Sequence, residues 1–160
     1  MNCGIVKRVL GVILIFEALF MVPSFMIAMY FNQIDKYPFL FCIAITGIIG
    51  LIMYYPKVDK KTIRAKEGLA IVAFSWILIS FFGCLPFVFS KSIPNFVDAF
   101  FETVSGFTTT GATLINNVEI LPKGILFWRS FTHWIGGMGI LVFMVAFLPA
   151  IGVGSFQIFK

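Results

Sequence analysis

Apolar positions fill this chain in four long blocks and one short one, separated by brief polar stretches. The long blocks cover residues 9–30, 37–55, 68–89 and 124–148. At ~1.5 Å of rise per residue, each makes a helix able to cross a hydrocarbon core of ~30 Å. In the first block Pro23 is expected to kink the helix. Glu17 lies in the same block. An acid at that depth faces protein or water rather than lipid; the readings open to it are a role near an ion path and, the one we expect, a hydrogen-bonded packing residue against a neighbouring helix. A polar turn, Asn32-Gln33-Ile34-Asp35-Lys36, separates the first two blocks. Gly47 and Gly50 in the second are expected to let a helix approach closely.

The short block, residues 94–104, is too short to span. Phe96, Val97, Phe100, Phe101 and Val104 recur there at helical spacing, with Asp98 and Glu102 four apart on the remaining face. Ser92 and Pro94 are the expected helix start. Directly after it comes Ser105-Gly106-Phe107-Thr108-Thr109-Thr110-Gly111-Ala112-Thr113, a run of hydroxyl residues broken by glycines. Short helix, Thr/Gly-rich extended segment and long helix follow one another in the order of a re-entrant pore loop. The chemistry suits a hard cation. Successive backbone carbonyls can replace its hydration shell, threonine hydroxyls add further oxygens, and glycine permits the torsions this requires. The short helix should enter the membrane from outside and point its partly negative C-terminal end at the pore centre. The chain should then turn at Gly106 and return outward. Non-helical backbone at membrane depth must be covered by protein or line a water-filled cavity, so this segment is not expected to face lipid. The polar loop 116–123, with Glu119, is the expected outer rim, and Pro122 precedes the last helix.

Composition settles the class. The chain is 60% hydrophobic and 12% charged, with mean hydropathy +1.02. A soluble domain carries about a quarter charged residues, so this is an integral membrane protein. The net charge of +5 is mostly local, which gives no footprint for nucleic acid. Lys57, Lys60, Lys61, Arg64 and Lys66 crowd the loop 57–67, and Lys7 and Arg8 precede the first helix. Both clusters mark the cytoplasmic side, and they lie two crossings apart, so the N-terminus is expected inside. The first apolar run is longer than a signal-peptide core of ~7–15 residues and lacks a small-residue cleavage site, so it reads as a retained transmembrane helix. Binding of anionic lipid headgroups is a further role open to the basic loop. Cys3, Cys42 and Cys84 have no metal or CxxC spacing and are expected to be buried free thiols. No nucleophile arrangement surrounds the single His133, so neither an enzyme nor a resident cofactor is expected.

In the last helix, Arg129 is positioned to pair with Glu102 or Asp98 and brace the short helix, or to snorkel to the interface. His133 is expected to be a packing residue. Gly136, Gly137 and Gly139 would admit another helix or the filter backbone.

Three runs together carry a resemblance: Phe100-Phe101-Glu102-Thr103-Val104-Ser105-Gly106-Phe107-Thr108-Thr109-Thr110-Gly111-Ala112-Thr113, then Leu121-Pro122-Lys123-Gly124-Ile125-Leu126-Phe127-Trp128-Arg129-Ser130, then His133-Trp134-Ile135-Gly136-Gly137-Met138-Gly139. They resemble the first pore repeat of Trk-type potassium uptake proteins, of the Trk/Ktr/HKT superfamily. The resemblance implies an all-α integral membrane protein. Residues 1–56 would be an accessory pair of transmembrane helices, 57–67 a basic cytoplasmic loop, and 68–160 a helix–pore loop–helix repeat with its filter strand at 106–113. It implies four such repeats around one potassium path through the cytoplasmic membrane. Gly111 falls on the central filter glycine, flanked by Thr109, Thr110, Ala112 and Thr113, with potassium at Thr109, Thr110 and Gly111. Glu102, Gly106, Thr108 and Arg129 would support the filter. It also implies a cytosolic nucleotide-binding regulatory subunit and homodimers. One pore loop cannot surround an ion, so the remaining repeats must come from a longer chain, of which this is a fragment, or from further copies. The alternative is a non-transporting membrane assembly module or a truncated remnant of such a transporter.

Overall fold

A computed structural model describes residues 3–55 and 65–147. Among these the structure is helical, with no strand: α1 (Cys3–Tyr30), α2 (Lys36–Tyr54), α3 (Ala65–Gly83), α4 (Leu85–Phe89), α5 (Phe96–Phe107), one turn of 3₁₀ helix (Val118–Ile120) and α6 (Lys123–Phe147). Most of the basic loop and the expected end of the last helix near Pro149 lie outside the described residues. Among the described residues three helical stretches are long and apolar enough to cross a membrane: Cys3–Tyr30, Lys36–Tyr54 and Glu67–Phe89. The backbone of α6 continues for 25 residues, or about 37 Å at the α-helical rise.

α1 and α2 form a pair that the turn at residues 31–35 folds back on itself. α1 is one continuous helix through Pro23. The two helices cross at glycines. A Cβ on Gly11 would lie 2.6 Å from the Gly50 carbonyl, and one on Gly50 would lie 2.9 Å from Ile15. Gly50 thus has the expected role, and Gly11 is its partner. Gly47 makes only an ordinary contact with Ala18.

The third apolar block is broken at Cys84 into α3 and the short α4. Pro86 has no N–H to continue the ladder, so the bonding shifts and the Phe87 N–H goes to the Cys84 carbonyl at 3.0 Å. The carbonyl of Gly83 is thereby left for another donor. The indole N–H of buried Trp128 on α6 takes it at 2.9 Å, tying the break to the last helix. The core surrounds this joint and includes Met21, Phe39, Phe87, Phe107, Ile125 and Trp128.

The polar α1–α2 turn also holds the start of α6. The Gln33 side-chain oxygen accepts from the Lys123 N–H at 2.7 Å, serving one of the unsatisfied donors of a helix N-terminus. The Asp35 carboxyl lies against the N–H groups of Gly124 and Ile125 without completing a well-aligned bond to either. Burial pushes this carboxyl above its ordinary range, and the N–H groups of Asp35, Ile125 and Gly124 pull it partly back.

Two expectations need correction. Cys3 is exposed, while Cys42 and Cys84 are buried free thiols. Glu17 is buried as expected, but neither of its carboxyl oxygens has a hydrogen-bond partner among the described residues.

Candidate functional site

α5 starts at Phe96, two residues after the expected Pro94. Asn95 caps it, its side chain accepting from the Val97 N–H at 3.0 Å, and Asp98 in the first turn suits the positive end of the helix dipole. The helix also runs three residues beyond Val104, so Gly106 is helical and does not make the turn. A side chain at Gly106 would collide with the hydroxyl of Thr132 on α6. Its role is to admit a neighbouring helix. Gly136 serves the same crossing from the other side, since a Cβ there would overlap the Phe107 carbonyl. Gly137 and Gly139 make ordinary contacts only.

The turn comes at Thr108 and Thr109. The Thr110 N–H reaches back to the Ser105 carbonyl and the Thr109 N–H to the Gly106 carbonyl, both at 3.0 Å. This double closure is a Schellman motif, with Thr109 in the left-handed position at φ +56°. Glycine is the usual occupant, and a β-branched residue there is an outlier, strained by about 1–2 kcal/mol. Its hydroxyl bonds the Thr108 carbonyl at 2.7 Å. The Thr108 hydroxyl bonds the Val104 carbonyl at 2.7 Å and meets the Thr110 hydroxyl at 2.8 Å.

From Thr110 the chain leaves α5 without helical or sheet hydrogen bonding, and residues 108–114 are exposed. Gly111 has φ +77°. Two side chains of α5 anchor this segment from behind. Ser105 donates its hydroxyl to the Ala112 carbonyl at 2.6 Å. Glu102 accepts from the Thr113 hydroxyl at 2.9 Å and from the Leu114 N–H at 3.0 Å. Glu102 also accepts from Arg129 Nε at 2.7 Å. The Glu102 side chain is 1% exposed and that of Arg129 17%, so the pair is largely withdrawn from water. Of the partners open to Arg129 from sequence, the structure brings Glu102 to it.

The outcome is a segment with two unlike sides. The Ala112 carbonyl and the Thr113 hydroxyl turn back to α5. Among the described residues no hydrogen bond reaches the carbonyls of Thr109, Thr110 or Gly111. Ser105 and the Leu114 N–H are anchors that sequence reasoning did not single out. The signal for Ser105 was its place three residues after Glu102, on the same helix face. His133 bonds the Arg129 carbonyl through Nδ1 at 2.9 Å, a packing role.

Two long helices, then a helix, a short re-entrant helix, an exposed extended segment and a final helix define a multi-pass membrane protein of the pore-loop class. The sequence pattern of the TrkH family, described as cation transport protein, matches residues 37–160, and the chain belongs to this family. The Trk system potassium uptake protein TrkH of Halomonas elongata is 37% identical over the whole of this chain. TrkG of Escherichia coli K12, also named a Trk system potassium uptake protein, is 34% identical over 98% of it. The crystal structure of the potassium transporter TrkH from Vibrio parahaemolyticus superposes with a TM-score of 0.88 at 35% identity over 96% of this chain. The chain spans about a third of each: 34%, 33% and 33% of their lengths.

Proposed function

We propose that residues 109–113 form one strand of a cation-selectivity filter, and that the chain supplies one of four pore-loop repeats in a potassium uptake pathway. The carbonyls of Thr109, Thr110 and Gly111 take the place of water around the ion, and Ala112 and Thr113 flank them. The observation that supports this reading is the division of the segment, with Ala112 and Thr113 bonded back to α5 and the three preceding carbonyls without a hydrogen bond among the described residues. The C-terminal end of α5 adds partial negative charge beside them. Potassium uptake is the activity named for the relatives. The nucleotide-binding regulatory subunit and the homodimer belong to the same proposal.

The direct test is rescue of potassium-limited growth by the full-length transporter that carries this repeat, together with potassium and sodium flux in vesicles. Uptake that favours potassium is the expected result. A protein that reaches the membrane and moves neither ion would remove the proposal.

The orientation is tested separately. With the N-terminus and basic loop in the cytoplasm of a cell bounded by this membrane, a cysteine probe at Asn117 should react with an impermeant reagent added outside. One at Lys61 should not. Labelling at Lys61 in intact cells would reverse the topology.

A further inference from the structure

Glu17 sits near the middle of α1, fifteenth of its 28 residues. It is buried within this chain, and both carboxyl oxygens lack a partner among the described residues. The position of a Cβ on Gly83 would be 3.0 Å from its Oε1 and 3.0 Å from the ring of Phe107, so the carboxyl lies beside the residue that ends the pore helix. It borders a cavity of about 160 Å³ whose other walls are the apolar side chains Ile13, Phe16, Phe20, Ile79, Phe107 and Ile135. Four of these, Ile13, Ile79, Phe107 and Ile135, also line a larger groove of about 490 Å³ that runs past Ser75 and Trp76 along α3. The groove thus adjoins the cavity that the carboxyl borders.

A dehydrated carboxylate with no counter-charge is too costly to keep, so such a group must hold a cation or a proton. A metal cation needs several oxygen ligands. Here the carbonyl of the adjoining Gly83 accepts from Trp128, and the Thr103 hydroxyl donates to the Ala99 carbonyl. The titratable groups near Glu17 on neighbouring elements are the thiols of Cys42 on α2 and Cys84 at the α3–α4 break. On α5 and α6, Glu102 and Arg129 pair with each other and His133 bonds a carbonyl. Lys7 and Arg8 lie at least nine residues away along α1, about 13 Å at the helical rise.

We propose that Glu17 is an intramembrane proton-binding site behind the pore helix, neutral in the conducting form. When the proton leaves, the carboxylate draws water through the groove into the cavity and pushes Phe107, and with it the turn at Thr108 and Thr109, out of place. The chemistry is a single proton exchanged with water, the O–H bond of the acid broken and the pair left on the carboxylate.

The test uses the purified full-length transporter in lipid. Infrared difference spectra between wild type and Glu17→Gln should show, at neutral pH, the C=O stretch of a protonated acid, shifted in D₂O and unchanged by Asp35→Asn. Loss of the band only in Glu17→Gln supports the proposal. Carboxylate bands in its place overturn it, as does a cationic partner supplied from elsewhere in the transporter, which gives the same carboxylate signal. If Glu17→Gln does not fold, Glu17→Leu replaces it in the subtraction. The second arm rests on the potassium-path reading. Wild-type flux should be lost at alkaline pH and that of Glu17→Gln retained. A flat wild-type profile, or parallel profiles, overturns the link to the pore helix. The infrared arm needs no transport, so its failure is separate from failure of the filter reading.

Discussion

Replacing Gly111 with serine should leave the amount of folded protein near wild type while sharply reducing potassium uptake or its preference over sodium. The backbone is the reason. At φ +77° glycine carries no penalty, whereas any L side chain does. The strain is about 1–2 kcal/mol per residue in the left-handed region. Among the described residues nothing lies within 4 Å of the position a Cβ would take, so the cost there is torsional and not a collision. The segment is exposed, so packing barely changes. Relief of the strain rotates the peptide planes on either side of residue 111, and these carry the carbonyls of Thr110 and Gly111. A filter replaces the hydration shell oxygen by oxygen, so a small rotation alters the match to the ion. Two controls isolate the effect. Gly68→Ala changes a helical glycine whose Cβ would meet nothing within 4 Å among the described residues. Thr103→Ser keeps the hydroxyl that bonds Ala99 within α5. Ion flux and growth on limiting potassium are the readouts. Wild-type uptake and selectivity in all three variants would take Gly111 out of the filter, and the proposed pathway through residues 109–113 would fall.

Much of the architecture could be read from the chain because membrane helices announce themselves by length and apolarity. α2 and the start of α6 follow the apolar blocks closely, α1 begins six residues before its block and takes in Lys7 and Arg8, and α5 was visible in the spacing of Phe96, Phe100 and Val104. What escaped depended on which neighbour a residue meets. Gly106 and Gly111 look alike in sequence. One admits Thr132 and stays helical, while the other takes the positive φ. The turn was therefore expected at the wrong residue, since the Schellman closure places Thr109 where glycine is usual. The break at Cys84 was not expected, since residues 68–89 read as one helix, and its consequence, a free Gly83 carbonyl meeting Trp128 45 residues later, could not be read locally. The same holds for Gln33 and Lys123, 90 residues apart. Glu17 was expected to find a hydrogen bond because most buried polar groups do. Only the packing of α1 against its neighbours reveals a wall of apolar side chains and thiols around it.

Removing either member of the Glu102–Arg129 pair should destabilise the folded protein, and removing both should cost less than the sum. Breaking a buried pair strands a charge, at roughly 3–5 kcal/mol. The two singles should not be equal. Glu102 also holds the Thr113 hydroxyl and the Leu114 N–H, so Glu102→Ala strands three donors at once. Arg129→Ala leaves the carboxylate with two neutral donors, and water can reach the partly exposed site the arginine vacates. Glu102→Ala should therefore be the worse, in thermal unfolding and in the yield of monodisperse protein from detergent. The double variant recovers what is lost through the uncompensated charge. It should not recover ion selectivity, because Thr113 and Leu114 still lack their anchor and, past the turn, Ser105 alone of the α5 anchors remains. Stability and selectivity thus separate in one experiment. Additive stability losses would reject the coupling of the pair. A double variant with wild-type selectivity would mean that the carboxylate braces the helices alone, and that the extended segment keeps its shape without it.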